Sequence, residues 1–262
     1  MKIRVISALV ALGILIPFLI IGGYPFAFII CLLGIICYKE ILDLKKSHDK
    51  IPMIVVILGL ISLVYIMIGN YGFNSLTYAI TYPKVLIPMI LLLLPTLFYK
   101  KITYNTNDAL YLLGNIYLIG FLFNLIITIR NINIYLLLYL LSITIFTDTF
   151  AYLIGMLIGK HKMTKISPKK SWEGAIAGLI GGSSVALIIY TNLLAPLNFK
   201  IILTTIILSI IGQMGDLFFS KIKRENDIKD FSNIMPGHGG ILDRVDSLTF
   251  VIFAYVILLS LL

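Results

Sequence analysis

The chain has 262 residues, of which 60% are hydrophobic and only 13% are charged, and its mean hydropathy is +1.03. A soluble domain is nearer half apolar and about a quarter charged, so a water-soluble globule of this size is excluded. The composition predicts an all-α, polytopic integral membrane protein, because helices satisfy their own backbone hydrogen bonds inside a bilayer. The net charge of +9 then indicates topology and contact with anionic headgroups, and we expect no nucleic-acid partner.

Apolar runs of about 20 residues can cross the hydrocarbon layer as helices, and they follow one another along the whole chain. Nine such runs occur, at roughly 3–22, 25–44, 52–70, 84–99, 108–129, 133–159, 173–195, 200–223 and 245–262. Gly22 and Gly23 predict a tight turn between the first two runs. The fourth run is short and contains Pro88 and Pro95, which predicts a kinked or re-entrant segment.

The distribution of charge predicts the orientation of these runs. If the N-terminus is cytoplasmic and the runs alternate, every Lys and Arg except Lys84, Arg130 and Lys200 falls on the cytoplasmic side. This bias is what the positive-inside rule requires, and it places the C-terminus on the opposite side. No acidic residue falls in an outside loop, so we expect chemistry that uses charged groups at the cytoplasmic face.

Two aspartates lie at membrane depth. Asp148 is in the middle of the sixth run, and Asp216 lies about two turns before the cytoplasmic end of the eighth. A charge in hydrocarbon costs at least about 2.5 kcal/mol, so such residues usually face a cavity, a partner or a metal. A structural polar contact between helices is the alternative. In the seventh run Gly174, Gly178 and Gly182 repeat every four residues, which favours close helix packing.

The polar stretch from Ser220 to Asp246 concentrates three kinds of group. Its basic side chains can hold phosphates, and its carboxylates can hold Mg²⁺. Its glycine-rich segment 236–240 can turn tightly and offer backbone N–H groups to an anion. This combination is typical of phosphoryl and nucleotidyl transfer, whereas a basic loop alone would more often bind anionic lipid.

The same stretch matches a longer pattern, S-x-x-K-R, four residues, K-D, then P-G-H-G-G, two residues and D-R-x-D. This pattern resembles the signature of the phosphatidate cytidylyltransferase (CDP-diacylglycerol synthase) family. Residues 167–174, S-P-K-K-S-W-E-G, and the segment that starts at Asp148 are similar to two further motifs of that family. Ser232 departs from the family, whose members commonly carry Gly there. The specific motifs cover about residues 140–250.

The resemblance implies an enzyme that transfers CMP from CTP to phosphatidic acid, giving CDP-diacylglycerol and pyrophosphate, in phospholipid biosynthesis at the cytoplasmic face of the cell membrane. It implies a homodimer and Mg²⁺, and it leaves a second cation open. It also divides the chain into N-terminal transmembrane helices, 1–130, and C-terminal catalytic helices and loops, 131–262, within one membrane-embedded unit.

The resemblance assigns roles to residues as well. Asp216 and Asp243 would be the metal ligands. The catalytic set would be Asp216, Asp243, Lys223, Arg224, Asp246 and His238. The substrate-binding set would be Ser220, Lys229, Asp230, Arg244, Gly239, Gly240, Asp148, Lys169 and Lys170.

Three alternatives differ from this interpretation. A CTP-dependent transferase or kinase could act on another lipid, such as a polyprenol or an ether lipid. A transporter could use Asp148 and Asp216 for ion coupling, but it should spread its acids across membrane depth, and here they cluster on one side. A structural lipid-binding protein would not need the acids of the signature.

Overall fold

The computed structural model describes residues 2–44, 51–69, 81–164, 166–237 and 239–261. Within these ranges the chain forms α-helices and one short 3₁₀ helix, and it forms no β-strand. The helices are α1 (Lys2–Ile21), α2 (Gly23–Leu44), α3 (Met53–Ile68), α4 (Tyr82–Leu93), α5 (Thr106–Ile132), α6 (Ile134–Ile158), α7 (Trp172–Leu193), α8 (Phe199–Glu225) and α9 (Leu242–Leu261). Each of them overlaps one of the nine predicted apolar runs.

Five of the described helices, α2, α5, α6, α7 and α8, are long and apolar enough to cross a bilayer. Shorter apolar helices cover 9–21, 53–68 and 82–97. The prediction of an all-helical fold is therefore confirmed, and the fold is typical of a multi-pass membrane protein. The number of spans and the sides of the two termini stay predictions.

Polar side chains fix where several helices begin. The side chain of Asn133 accepts a hydrogen bond from the Tyr135 N–H at 2.8 Å at the start of α6, and Asn198 accepts from the Ile201 N–H at 2.8 Å at the start of α8. These bonds satisfy N–H groups that have no partner within the helix. Before α5, Asn105 and Asp108 each accept from the other's backbone N–H, at 3.1 and 3.0 Å.

Two predicted irregularities can be compared with the structure. The turn between α1 and α2 is as tight as predicted: Gly22 and Gly23 have φ values of +70° and +57°, which glycine adopts without strain. The fourth helix changes to a 3₁₀ helix over Leu94–Leu97, where Pro95 cannot donate a backbone hydrogen bond. The re-entrant alternative for this segment stays a prediction.

The chain divides into two compact units. The first contains Met1–Ile132 and Phe231–Leu242. In this unit polar side chains donate to carbonyls of neighbouring helices: the Tyr111 hydroxyl to Ile41 at 3.0 Å, and the Asn124 amide to Met67 at 2.8 Å. Such bonds replace those that water cannot supply in a bilayer.

The second unit contains Asn133–Asp230 and Asp243–Leu262. Here hydroxyl groups of α6 and α8 pair directly, Tyr139 with Thr205 at 2.8 Å and Thr147 with Ser209 at 2.9 Å. The predicted close packing of the seventh run is confirmed, because its glycines lie against the backbone of α6. A Cβ atom added at Gly178 would lie 2.6 Å from the Thr147 carbonyl oxygen.

We expect Gly178→Ala to destabilise the protein by roughly 1–3 kcal/mol, the usual cost of forcing a methyl group into a closely packed contact. The matched control is Gly114→Ala in α5, where an added Cβ would meet no atom within 4 Å. Thermal unfolding in detergent measures both. An equal or smaller effect of Gly178→Ala than of Gly114→Ala would contradict the packing argument.

Candidate active site

A cavity of about 370 Å³ lies in the second unit, within the size range of pockets that bind small molecules. α6, the loop before α7, α8 and the start of α9 supply most of its walls. Nine of the predicted site residues line it, namely Asp148, Lys169, Lys170, Asp216, Lys223, Asp230, Asp243, Arg244 and Asp246. These residues are far apart in the sequence, from Asp148 to Asp246, and the fold brings them together in one cavity.

On one side of the cavity, Asp216 of α8 forms an ion pair with Lys170 from the loop before α7. The Ser220 hydroxyl, one helical turn after Asp216, donates to the other carboxylate oxygen at 3.3 Å. Both oxygens of Asp216 therefore have partners. About a quarter of the surface of the Lys170 and Asp216 side chains is exposed, 26% and 24%, so both groups can be reached from the cavity.

A second ion pair joins α8 to α9. Lys223 Nζ lies 2.6 Å from Asp243 Oδ1, and these two side chains are only 11% and 3% exposed. Because these two side chains are largely buried, their attraction is screened less than that of a surface pair. The pair therefore fixes Asp243, the first charged residue of α9, against the last turns of α8.

Ser247 connects two further aspartates of the cavity, Asp148 and Asp246. Its hydroxyl donates to Asp148 Oδ2 at 3.3 Å, and its backbone N–H donates to Asp246 Oδ1 at 2.8 Å. Ser247 was not predicted as a site residue. Ser247 follows the signature directly and faces an acid at membrane depth. Its position in the sequence could have indicated that it belongs to the site.

The loop before α7 is held by backbone hydrogen bonds between its two ends. The Met163 N–H donates to the Lys170 carbonyl at 2.9 Å, and the Trp172 N–H donates to the His161 carbonyl at 3.0 Å. Ser171 caps α7 by accepting from the Gly174 N–H at 3.1 Å. These bonds tie the two ends of the loop together, and both Lys170 and Lys169, which is also exposed, line the cavity.

Two comparisons bear on these residues. The sequence profile of the cytidylyltransferase family matches residues 2–262. The chain belongs to this family. The phosphatidate cytidylyltransferase of Staphylococcus haemolyticus is 36% identical over 258 residues, which cover 96% of each chain. That of Staphylococcus aureus is 35% identical over 255 residues, with the same coverage, and that of Bacillus subtilis is 34% identical over 266 residues, covering 98% of this chain and 97% of the relative.

The resemblance seen in the sequence is thus confirmed, and the protein is a nucleotidyltransferase, a cytidylyltransferase. Curated relatives match at both ends of the chain as well as in the signature, so the likeness extends well beyond residues 140–250.

Several predicted site residues of this cytidylyltransferase do not line the cavity. Arg224 is exposed, and its guanidinium donates to the Ile228 carbonyl at 2.9 Å. Lys229 is exposed at the surface, and Ser220 acts through Asp216. Gly239 and Gly240 belong to the first unit. His238 lies outside the described residues.

The glycine-rich segment forms a closed turn. Met235 and Gly239 exchange two backbone hydrogen bonds, of 3.0 and 3.1 Å, and Gly237 and Gly239 have φ values of +77° and +86°. The N–H of Gly239 therefore donates to Met235 within the turn. Both positive φ values explain why glycine is needed at these two positions.

Two further polar residues were not predicted from the sequence. Gln213 of α8 lines the cavity, and its amide donates to the Ala175 carbonyl at 3.2 Å. Glu40 of α2 is buried in the first unit, where it accepts hydrogen bonds from the segment that carries the glycine-rich turn. For Glu40 a signal was present, since an ionisable residue inside an apolar run is usually functional.

The cavity combines carboxylates with basic groups, and this determines what it can hold. Oxygen ligands from aspartates are those that Mg²⁺ prefers, and ammonium and guanidinium groups hold phosphates. The donor set therefore fits a hard divalent cation in kind. Within the described part of the chain, no three Asp, Glu, His or Cys side chains converge as a ready metal site. Lysines pair with Asp216 and Asp243 instead.

Proposed function

We propose that this cytidylyltransferase transfers the CMP group of CTP to phosphatidic acid and releases CDP-diacylglycerol and pyrophosphate. The observation that carries the proposal is a cavity that nine of the predicted site residues, both aspartates and basic residues, line together. The relatives that match this chain over nearly its whole length are named phosphatidate cytidylyltransferases. These names support the choice of phosphatidic acid as the acceptor.

The reaction is a displacement at phosphorus. An oxygen of the phosphatidate monoester attacks the α-phosphorus of CTP, a new P–O bond forms, and the bond to the oxygen bridging to the β-phosphorus breaks. Pyrophosphate leaves with that electron pair. A phosphate monoester is already a competent nucleophile, so no strong base is needed. Catalysis then depends on positioning two anionic substrates and compensating their charge.

The basic residues of the cavity fit this task. Lys169, Lys170, Lys223 and Arg244 line one space with the aspartates, so each can approach a phosphate group bound there. Their positive charge would hold the triphosphate and the lipid phosphate close together despite the repulsion between them. Asp216 and Asp243 hold two of these bases, Lys170 and Lys223, in ion pairs when no substrate is bound.

Mg²⁺ would be held by Asp216 and Asp243, and when bound it would neutralise the triphosphate and stabilise the leaving pyrophosphate. A second cation would find further oxygen ligands in Asp148 and Asp246, which line the same cavity. Each metal-binding aspartate is paired with a lysine, so cation binding would release that lysine toward the substrate phosphates.

We further propose that the enzyme acts in phospholipid biosynthesis in the cell membrane, with its site at the cytoplasmic face. The charge bias of the loops and the bacterial source of the relatives support this placement. A homodimer is also proposed, on the family resemblance alone, and light scattering of the purified protein would test it.

The decisive experiment measures pyrophosphate release by the purified protein in detergent micelles that contain phosphatidic acid, with CTP and Mg²⁺. We expect turnover that needs all three. Replacing phosphatidic acid by diacylglycerol, which lacks the attacking phosphate, or Mg²⁺ by a chelator should abolish it. A folded protein that turns over a polyprenyl phosphate but not phosphatidic acid would overturn the choice of acceptor.

A further inference from the structure

Glu40 lies near the end of α2, in the first unit, and is only 1% exposed. It is far from the signature in sequence, and neither the family pattern nor the cavity contains it. A buried carboxylate is costly unless hydrogen bonds compensate for the lost water. The structure shows where these bonds come from.

The Glu40 carboxylate holds both ends of the segment 232–242. The Ser232 hydroxyl donates to Oε1 at 2.6 Å. The backbone N–H groups of Ile241 and Leu242 donate at 2.8 and 2.9 Å, the first to Oε1 and the second to Oε2. The segment between these ends includes the glycine-rich turn. One side chain thus closes the loop that precedes α9.

The loop 232–242 packs closely against the Glu40 carboxylate. A Cβ atom added at Gly240 would lie 2.5 Å from Oε1 and 2.9 Å from Oε2 of Glu40. The backbone at Gly240 therefore runs directly against the carboxylate, and this close approach requires glycine. The last glycine of the P-G-H-G-G motif thus has a packing reason that the sequence alone did not reveal.

Glu40 also acts as the cap of α9. Leu242 is the first residue of this helix, so its N–H has no partner within the helix. A carboxylate is a favourable acceptor there, because its charge also interacts with the positive end of the helix dipole. Most helices receive this cap from a neighbouring residue, whereas α9 receives it from α2.

We infer that Glu40 is a positioning residue for the proposed transfer reaction: by fixing the loop 232–242 and the first N–H of α9, it sets the position of Asp243. Asp243 follows Leu242 directly in the chain, and its carboxylate pairs with Lys223 in the cavity. A shift at Leu242 is transmitted to Asp243 through one peptide bond. This inference rests on the proposed function for its catalytic part only.

The test combines two measurements on Glu40→Gln and Glu40→Asp. Glu40→Gln replaces one carboxylate oxygen by an NH₂ group, which cannot accept a hydrogen bond. Glu40→Asp keeps the charge but shortens the side chain by one methylene, so the carboxylate lies farther from the N–H groups it accepts from. Hydrogen–deuterium exchange of peptides covering 239–243 reports the held amides directly and needs no activity. Lys39→Gln is the matched control, since Lys39 is adjacent on α2 and exposed.

In both Glu40 variants we expect faster exchange at Ile241 and Leu242, with unchanged exchange in α5. We expect kcat to fall by about 10²-fold in Glu40→Gln, the effect of a displacement of about 1 Å at a reacting centre. KM for CTP should change far less, because the loss is in the transition state. Lys39→Gln should match the wild type in both measurements.

Unchanged exchange at Ile241 and Leu242 would overturn the hydrogen-bonding role. Faster exchange with wild-type kcat would overturn the positioning role, and so would a Glu40→Asp variant with full kcat, because charge alone would then suffice. Absence of turnover in the wild type would instead overturn the proposed function, and the exchange result would still decide whether Glu40 holds the loop.

Discussion

Replacing Asp216 by Asn is expected to lower turnover by at least about 10²–10³-fold, the loss that follows removal of one electrostatic contact to a transition state. The substitution keeps the size of the side chain and removes its charge. It therefore removes a proposed metal ligand and the ion pair with Lys170 together, while the Ser220 hydroxyl can still donate to the remaining carbonyl oxygen. Initial rates of pyrophosphate release measure the effect.

The matched control for this variant is Glu225→Gln, which also neutralises an acid on α8. Glu225 is 61% exposed, and its pairing with Lys221 at 3.6 Å is a surface interaction. Such pairs contribute little, so turnover and stability should stay near wild type. If Asp216→Asn retained full turnover, Asp216 would be a structural acid, and the proposed metal site would have to be sought elsewhere in the cavity.

The sequence predicted the helices well because their cause is local. A run of apolar residues must be helical in a bilayer, and each predicted run from 3–22 to 245–262 overlaps an α-helix. The close approach of α6 and α7 was also predictable, since Gly174, Gly178 and Gly182 repeat at the spacing of one helix face.

The site was predictable in its members but not in its pairings. The sequence predicted Asp216, Lys223 and Asp243 as site residues, yet nothing in their spacing indicates that Lys170 pairs with Asp216, or that Lys223 pairs with Asp243. These pairings join segments that are distant in the chain, and hydrophobic periodicity carries information about single elements only. Helix packing decides which charges meet.

The glycine-rich turn shows a second limit. From its glycines we predicted that the backbone N–H groups of this turn would be available to bind an anion. In the structure the N–H of Gly239 donates to Met235, and Gly240 lies against Glu40. A pattern of glycines indicates that the backbone must turn or approach something closely, and it does not identify the neighbour. Here that neighbour is a carboxylate more than 190 positions away in the chain.

The buried pair of Lys223 and Asp243 leads to the second large effect. Removing one partner deprives a largely buried charge of its ion pair, which costs about 3–5 kcal/mol. We therefore expect Lys223→Met and Asp243→Asn each to lower the free energy of unfolding by an amount of this size. The double variant should lose less than the sum of the two single losses, since the lost attraction is common to both. Unfolding in detergent, followed by intrinsic fluorescence, measures all three variants.

Turnover should behave differently from stability in the same three variants. Both side chains line the cavity, and both are proposed to act on the bound substrates, Asp243 through the metal and Lys223 on phosphate. Pyrophosphate release should therefore stay at least about 10²-fold below wild type in the double variant, even though its loss of stability is less than the sum of the two single losses. Stability and activity thus separate the structural role of the pair from its chemical role.

The exposed pair of Lys221 and Glu225 provides the reference for this cycle. Its partners are 3.6 Å apart on the same helix, and their coupling energy should be below about 0.5 kcal/mol. A coupling of similar size between Lys223 and Asp243 would show that burial does not strengthen their pairing. A double variant with wild-type turnover would show that the pair serves stability alone, and the phosphate contacts would then fall to Lys169, Lys170 and Arg244.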